Sequence, residues 1–254
     1  MPTSRTSTRE RLAELLETPA EIPADQGFLD LLGTARQAGP PTGITQRLMR
    51  TTLLPQVYER YWRPTLGRAF KGPTGPSMAA EVRIATKLLQ LRPGLTVLDV
   101  ACGTGRFTRA FGEAVGPDGL AIGLDGATSM LRKAVAEDGP ESVAYLRADA
   151  VALPFRDSTV DGVCCFAALH MFAEPETALD SFTRVLRPGG RIALLTSARR
   201  SWQPARALET AGGIASGQRM FDRGEIGASL RARGFVKITE RYSGVAQIVS
   251  GQLS

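Results

Sequence analysis

The residues best suited to chemistry in this chain of 254 residues lie in the segment Val97 to Phe107, VLDVACGTGRF. Asp99 ends a short apolar run, and Gly103 and Gly105 then open a helical pattern, with Thr108 where a dinucleotide-binding G-x-G-x-x-G motif has its third glycine. Glycines allow a ligand to approach the backbone N–H groups of a helix N-terminus closely. A carboxylate beside them would repel a pyrophosphate and attract an ammonium group. The segment therefore favours an amino-acid-bearing nucleoside over a dinucleotide.

Two further carboxylates follow at regular places along the chain. Asp125 ends the second predicted strand, where an acid can accept hydrogen bonds from both hydroxyls of a ribose. Asp149 follows the third predicted strand, where it could accept from an exocyclic adenine amine or simply shape a turn. The carboxyl ends of parallel strands form the edge at which open α/β sheets bind ligands. We therefore expect the three carboxylates to share one site.

The elements that must position these residues alternate short apolar runs with amphipathic helical stretches from residue 91 onward, which is typical of a doubly wound parallel sheet. Two final runs are separated only by Ser243 and Gly244, so they must pair as an antiparallel hairpin. The sequence thus predicts an α/β, Rossmann-like, doubly wound sheet of seven strands with an antiparallel terminal hairpin. The predicted strands are 96–100, 120–125, 143–148, 160–166, 191–197, 235–242 and 245–250.

The chain divides into three predicted parts. Residues 1–43 form an N-terminal arm, disordered over 1–10, residues 44–90 form helical pieces, and residues 91–254 form the main domain. The net charge of +6 is concentrated in the second of these parts. Residues 41–90 hold eight basic and two acidic side chains, so the rest of the chain is close to neutral. Such a segment can attract an anionic partner, or it can be a solvated helical face.

Composition excludes several classes of protein. No apolar run approaches the ~20 residues that cross a bilayer, and the first residues lack the apolar core of a signal peptide. Cys102, Cys164 and Cys165, with the single histidine, His170, show no paired metal-ligand spacing. We therefore expect a cytoplasmic protein with no membrane span, no disulfide and no metal.

Five stretches of the sequence, which follow one another along the chain, carry a resemblance to a known family. The chain resembles the class I S-adenosylmethionine-dependent methyltransferases, in particular the UbiE-like, methyltransferase type 11 group. The resemblance covers roughly Leu91 to Ser197, and its stretches are VLDVACGTGRF, AIGLDGATSMLRKA, LRADAVALPFRDSTVDGV, AALHMFAEPETAL and RVLRPGGRIALL.

The resemblance implies S-adenosyl-L-methionine as cofactor and assigns residues to each part of it. The first stretch would hold the methionine part, the second the ribose, the third the adenine, and the end of the fourth strand would follow the sulfonium. Met130 either packs on the adenine or belongs to the helix core. The implied cofactor-binding residues are Asp99, Ala101, Gly103, Thr104, Gly105, Asp125, Gly126, Met130, Asp149, Ala150 and Phe166.

His170 is the candidate catalytic residue. It follows the fourth predicted strand at the ligand edge, and as the only histidine it could act as general base near neutral pH. Many members of the family carry a histidine here whatever they methylate, so a packing or hydrogen-bonding role is the alternative.

The N-terminal part bears on the substrate. Residues Gln26 to Leu32 look like the closing strand of a zinc ribbon that has lost its cysteines, which weakens an RNA assignment. The next part interleaves aromatic and basic residues, which can cover an apolar acceptor as a lid or stack on nucleobases. The resemblance favours a helical lid made by Tyr58, Tyr61, Trp62 and Phe70.

The sequence therefore predicts a methyltransferase that acts on a carbon or oxygen of a small apolar or aromatic metabolite. The alternatives are an RNA methyltransferase of the guanine type, which would use the basic segment 41–90, and a cofactor-binding protein without catalysis. The expected partner is a small-molecule methyl acceptor rather than nucleic acid, and a homodimer is left open.

Overall fold

One mixed sheet of eight strands organises the described part of the chain, in the order β1-β4-β3-β2-β5-β6-β8-β7. The computed structural model describes residues 7–18, 26–33, 75–199 and 218–254. Neighbouring strands from β1 to β6 run parallel, whereas β8 pairs antiparallel with both β6 and β7. The strands are β1 Leu29–Asp30, β2 Thr96–Val100, β3 Leu120–Asp125, β4 Val143–Arg147, β5 Val160–Phe166, β6 Leu186–Ser197, β7 Phe235–Ser243 and β8 Ala246–Leu253.

Helices cover both faces of this sheet. Side chains of β2 alternate between two apolar clusters, with Leu98 packing in the cluster that includes α5 and α6, and Val97 in the cluster that includes α2 and α3. Both faces are buried, which explains the nearly continuous apolar strands. The helices are α1 Thr8–Glu14, α2 Met78–Leu88, α3 Arg106–Val115, α4 Thr128–Ala136, α5 Pro175–Val185 and α6 Glu225–Ala232, with a 3₁₀ turn at Leu169–Met171. The predicted doubly wound α/β sheet with a terminal hairpin is confirmed.

The edge of the sheet differs from the sequence prediction. The seven predicted strands are present, but an eighth strand, β1, pairs in parallel with β4 through Leu29 and Asp30. The segment Gln26 to Leu32 therefore belongs to the main sheet, which corrects its interpretation as the remnant of a separate ribbon. Strand β6 also starts earlier than predicted, because Leu186 pairs with Val160 across a bulge.

The described N-terminal residues correct the prediction of disorder over 1–10 from Ser7 onward. Helix α1 begins with a capping box, in which the Ser7 hydroxyl accepts from the Glu10 N–H and the Glu10 carboxylate accepts from the Ser7 N–H. Leu12 and Leu16, four residues apart, are buried in the core. The spacing Ser-x-x-Glu before an apolar pair was the signal in the sequence that predicts such a start.

Candidate functional site

The turn between β2 and α3 is shaped by left-handed backbone. Ala101, Gly103 and Gly105 have φ angles of 58°, 57° and 74°. Gly105 is the N-cap of α3 and provides no side chain to accept from the N–H groups of the first turn. This turn therefore presents backbone donors at the carboxyl edge of the sheet, as predicted from the glycine spacing.

The two glycines of the turn have different surroundings. A Cβ atom at Gly105 would lie 2.2 Å from the Tyr145 hydroxyl oxygen and 2.8 Å from ring carbons of Tyr145. A Cβ atom at Gly103 would meet no heavy atom within 4 Å among the described residues. Gly105 is thus required for packing beneath the turn, whereas Gly103 borders open space in which a ligand can touch the backbone.

Asp99 is held by Thr108, the residue that stands where a dinucleotide-binding motif has its third glycine. The Asp99 side chain is only 3% exposed, and its Oδ2 accepts a hydrogen bond of 2.6 Å from the Thr108 hydroxyl. Thr108 is itself fully buried in α3. A glycine at this position would remove the hydroxyl, so Thr108 orients the carboxylate. Sequence analysis treated Thr108 only as a missing glycine and did not find this role.

Asp125 closes the site at the end of β3. Its Oδ2 accepts from the Gly103 N–H at 2.9 Å, and its Oδ1 accepts from the Ala127 N–H at 2.8 Å. Burial raises the pKa of this carboxyl, against the opposing effect of the backbone N–H groups. Each carboxylate oxygen can accept more than one hydrogen bond. Asp125 can therefore hold the turn and still accept from two hydroxyl groups of a ligand.

The predicted adenine side lies just after β4. Asp149 and Ala150 are half-buried, and Asp149 Oδ1 accepts from the Val151 N–H at 2.8 Å. That contact gives Asp149 the turn-shaping role considered for it, and its carboxylate still has capacity to accept further hydrogen bonds. Two residues earlier, Arg147 is nearly buried and donates from Nε to the Gly126 carbonyl at 3.2 Å. Sequence analysis did not single out Arg147.

The apolar residues of the site are well packed. Phe166 at the end of β5 lies with its ring centroid 5.3 Å from that of Phe107 in α3. Met130 in α4 is buried, and its position is compatible with both roles that the sequence left open. Cys102, Cys164 and Cys165 are buried, and burial raises the pKa of each thiol, so these side chains pack as apolar residues.

His170 lies in the 3₁₀ turn after β5 and is 6% exposed. Its Nδ1 lies 3.4 Å from the Thr196 hydroxyl oxygen, and its carbonyl accepts from the Arg219 N–H at 2.8 Å. Burial lowers the pKa of the imidazole to about 4. The ring is therefore neutral at pH 7 and a weak proton acceptor.

Part of the predicted site cannot be placed. Tyr58, Tyr61, Trp62 and Phe70 lie outside the described residues. Within the residues that are described, no three His, Cys, Asp or Glu side chains come together as a metal site. The same part of the chain has no helix with the length and apolar character needed to cross a membrane.

The segment that holds the site matches a known family. Residues 98–194 match the family described as a methyltransferase domain. An uncharacterized chloroplastic methyltransferase of Arabidopsis thaliana is 36% identical over 154 residues, which are 58% of this chain and 42% of the relative. The ubiquinone/menaquinone biosynthesis C-methyltransferase UbiE of Ectopseudomonas mendocina is 41% identical over 117 residues, which are 44% of this chain and 46% of the relative.

The chain thus spans less than half the length of these two curated relatives. The crystal structure of an S-adenosylmethionine-dependent methyltransferase from Aquifex aeolicus superposes with a TM-score of 0.57 at 21% identity. The superposition covers 79% of this chain and 98% of that one. This likeness shows that the whole Aquifex domain and most of this chain share one fold.

Proposed function

We propose that this chain, which carries a class I S-adenosylmethionine-dependent methyltransferase domain, transfers the methyl group of S-adenosylmethionine to a carbon or oxygen of a small apolar or aromatic metabolite. The observation that carries the proposal is the position of Gly103, which borders open space and donates from its N–H to Asp125, in the turn that follows the strand of Asp99. Those carboxylates are suited to an ammonium group and to a pair of hydroxyls. The residues present therefore fit this cofactor.

Each part of the site has a proposed role toward the cofactor. Asp99 and the turn at Gly103 would hold the amino-acid part, Asp125 the ribose, and Asp149 with the Ala150 N–H the adenine. When bound, the cofactor supplies a methyl group on a sulfonium, which is already an activated leaving group. The chain needs no nucleophile of its own for this displacement.

The main contribution of the protein is then to align the acceptor and to exclude water. Such alignment can supply on the order of 7 to 11 kcal/mol of the barrier. Phe166, fixed by its contact with Phe107, would provide an apolar wall on the reacting side of the cofactor. The tight packing of both rings keeps this wall in place without the cofactor.

An apolar cavity supports the proposed class of acceptor. Its volume is about 370 Å³, and it lies between the start of α2 and the β7–β8 hairpin. One lining residue, Leu195, pairs with Phe166 at the carboxyl ends of β5 and β6. The remaining lining residues are the apolar Pro76, Ile84, Ala246 and Ile248 and, at the hairpin, Arg241, Tyr242, Ser243 and Gln247. A C-methyltransferase of quinone biosynthesis among the relatives agrees with an aromatic acceptor of this kind.

His170 remains the candidate for contact with the acceptor. A pKa of about 4 makes the imidazole a weak general base for a phenol or an activated carbon acid. The neutral ring can still orient an acceptor hydroxyl by a hydrogen bond. If proton transfer to His170 limits the rate, kcat should fall below pH 5 and His170→Ala should abolish that dependence. If His170→Ala instead raises KM for the acceptor and leaves kcat unchanged, His170 has an orienting role.

The experiment that tests the function combines binding and turnover. Calorimetry with S-adenosylhomocysteine should detect binding by the wild type and a large loss in Asp125→Ala. Transfer of labelled methyl groups would then be measured with phenolic and quinol acceptors, with RNA of mixed sequence as a parallel acceptor. Labelled small molecules would support the proposal, and labelled RNA alone would replace it by the RNA alternative. Binding without transfer to either class would favour a non-catalytic protein.

A further inference from the structure

The two-residue strand β1 brings an N-terminal segment to the cofactor side of the sheet. Asp30 stands opposite Arg147 in the parallel register of β1 and β4, and the Leu31 N–H donates to the Arg147 carbonyl at 2.9 Å. Two residues of strand are too few to hold this segment by backbone pairing alone. Side chains must therefore carry much of the attachment, through the burial of Phe28 and Leu29 and through the contacts of Asp30 with Arg147.

The Arg147 guanidinium makes three kinds of contact from one nearly buried position. Nη1 lies 2.9 Å from Asp30 Oδ2 and 3.2 Å from Asp30 Oδ1, and it donates to the Gly33 carbonyl at 3.0 Å. Nε donates to the Gly126 carbonyl at 3.2 Å. The residue is only 9% exposed. The planar guanidinium can serve all of these acceptors at once because its donors diverge in a fixed plane.

Asp30 also accepts hydrogen bonds from the backbone of its own segment. In addition to the ion pair, its Oδ1 accepts from the Leu32 N–H at 2.9 Å and from the Gly33 N–H at 3.0 Å. The carboxylate therefore folds residues 30–33 into a tight turn while it holds Arg147. Removal of either partner would leave a nearly buried charge without its counterion.

The Gly126 carbonyl gives this ion pair a connection to the proposed ribose site. Gly126 lies between Asp125 and Ala127, and the Ala127 N–H is the donor to Asp125 Oδ1. Arg147 thus fixes the peptide that orients the Asp125 carboxylate. The backbone of the same arginine ends β4 two residues before Asp149, so Arg147 lies between the segments proposed to bind the ribose and the adenine.

We propose that Arg147 is a positioning residue for the adenosine half of the cofactor, and that Asp30 anchors it from the N-terminal segment. This inference rests on the proposed function, because it assigns the ribose and adenine to Asp125 and Asp149. Arg147 acts through Gly126 and the β4 end rather than through contact with the ligand. The N-terminal segment is then a structural part of the cofactor site.

A second ion pair provides a control in which the aspartate side chain is equally exposed, at 21%, and the arginine side chain is more exposed, at 44% against 11% for Arg147. Arg187 Nη1 lies 2.8 Å and 2.9 Å from the two carboxylate oxygens of Asp161. Asp161 stands near the start of β5, at the amino edge of the sheet, and its Oδ2 also accepts from the Thr96 N–H at 2.8 Å. Arg187→Gln thus removes a similar pair far from the proposed site.

The test uses two ligands that share the adenosine group. Dissociation constants for S-adenosylhomocysteine and for 5′-methylthioadenosine, which lacks the amino-acid part, would be measured by calorimetry below the Tm of every variant. We expect Arg147→Gln to weaken both ligands by the same factor, about tenfold. We expect Asp30→Asn to weaken both about threefold, and Arg187→Gln to lower the Tm without a change in either constant.

Arg147→Lys separates positioning from simple stability. Lysine can keep the ion pair with Asp30, but one ammonium cannot also hold the Gly126 carbonyl from the Nε position. We expect this variant to recover most of the Tm lost in Arg147→Gln while both dissociation constants stay raised. If it restores affinity together with the Tm, Arg147 only stabilises the fold and the inference is wrong.

The remaining outcomes are equally decisive. Folded Arg147→Gln or, should that variant fail to fold, folded Asp30→Asn with wild-type affinity for both ligands would overturn the inference and leave the proposed function standing. Wild-type protein that binds neither ligand would instead overturn the proposed function. A loss confined to S-adenosylhomocysteine would also reject the inference, because it would place the effect at the amino-acid part.

Discussion

Two carboxylates at opposite edges of the sheet, Asp161 and Asp125, are held in different ways. At the amino edge, Asp161 is neutralised by Arg187 and also accepts from the backbone N–H of Thr96. At the carboxyl edge, Asp125 receives its hydrogen bonds from backbone N–H groups, and no ion pair between described residues includes it. Asp161 is thus paired within the protein, whereas Asp125 keeps a charge that burial disfavours, as the raised pKa of its carboxyl indicates.

This difference separates residues that stabilise the fold from residues that bind. A paired carboxylate contributes to stability and has little acceptor capacity left for a ligand. A carboxylate held by backbone donors costs stability by desolvation, and a ligand with matching donors offsets that cost. The comparison therefore predicts that a substitution of Asp161 changes mainly the free energy of unfolding, and a substitution of Asp125 mainly the affinity for the cofactor.

The largest expected effect is the loss of affinity in Asp125→Ala. Two hydrogen bonds from ribose hydroxyls to a charged acceptor are worth about 3 to 4 kcal/mol together, which is a loss of several hundred-fold in affinity for S-adenosylhomocysteine. Calorimetry measures it directly. Asp161→Ala serves as control, and we expect it to lower stability while the dissociation constant stays within twofold. Equal loss of affinity in both variants would contradict the comparison.

The two glycines of the turn should also differ, with Gly105 important mainly for stability and Gly103 mainly for cofactor affinity. Gly105→Ala would place a methyl group against Tyr145 in left-handed backbone, so we expect a loss of about 3 kcal/mol in the free energy of unfolding. The methyl group of Gly103→Ala meets no atom of the described residues, so this substitution should cost only about 1 kcal/mol from the backbone. Its methyl group would occupy ligand space and weaken S-adenosylhomocysteine binding at least tenfold. Urea unfolding and calorimetry of both variants test this division.

The sequence could predict the parts of the site that rest on local patterns, but not those that rest on contacts between distant segments. Strand ends and glycine spacing are local patterns, so Asp99, Asp125 and the turn at Gly103 were predictable. The partner of Arg147 was not, because Asp30 is 117 residues away and its strand has only two residues. A two-residue strand leaves no periodicity in the sequence. The N-terminal segment could therefore be recognised as extended, but its place in the main sheet depends on contacts that are distant in the chain.

The burial of His170 agrees with the packing role that the sequence left open as an alternative, and it leads to a pH-dependent prediction. The folded pKa of about 4 lies below the ordinary value of about 6.5, so the unfolded chain binds the extra proton between these values. Stability is therefore present above pH 6.5 and is lost as the pH falls toward 4. Between pH 7 and pH 5 we expect His170 to account for about 2 kcal/mol of lost stability.

Urea unfolding of wild type and His170→Asn at both pH values isolates this contribution. The difference between the two proteins should change by about 2 kcal/mol over this range. Other titrating groups, including Asp125, affect both proteins alike and cancel. A difference that does not vary with pH would show that His170 titrates normally. Such a result would restore the imidazole as an effective general base at the carboxyl edge.

The smallest expected effect tests the amino edge through α1. The Thr8 hydroxyl donates to the Glu141 carbonyl, and Arg11 donates to the Asp118 carbonyl at 2.9 Å, so this helix is attached to the loops before β3 and β4. Ser7→Ala removes the N-cap and should lower the free energy of unfolding by about 1 kcal/mol. If the two edges are independent, affinity for S-adenosylhomocysteine stays within twofold of wild type. A larger change in affinity would mean that α1 reaches the cofactor site through β3 and β4, and the division between a stabilising edge and a binding edge would fail.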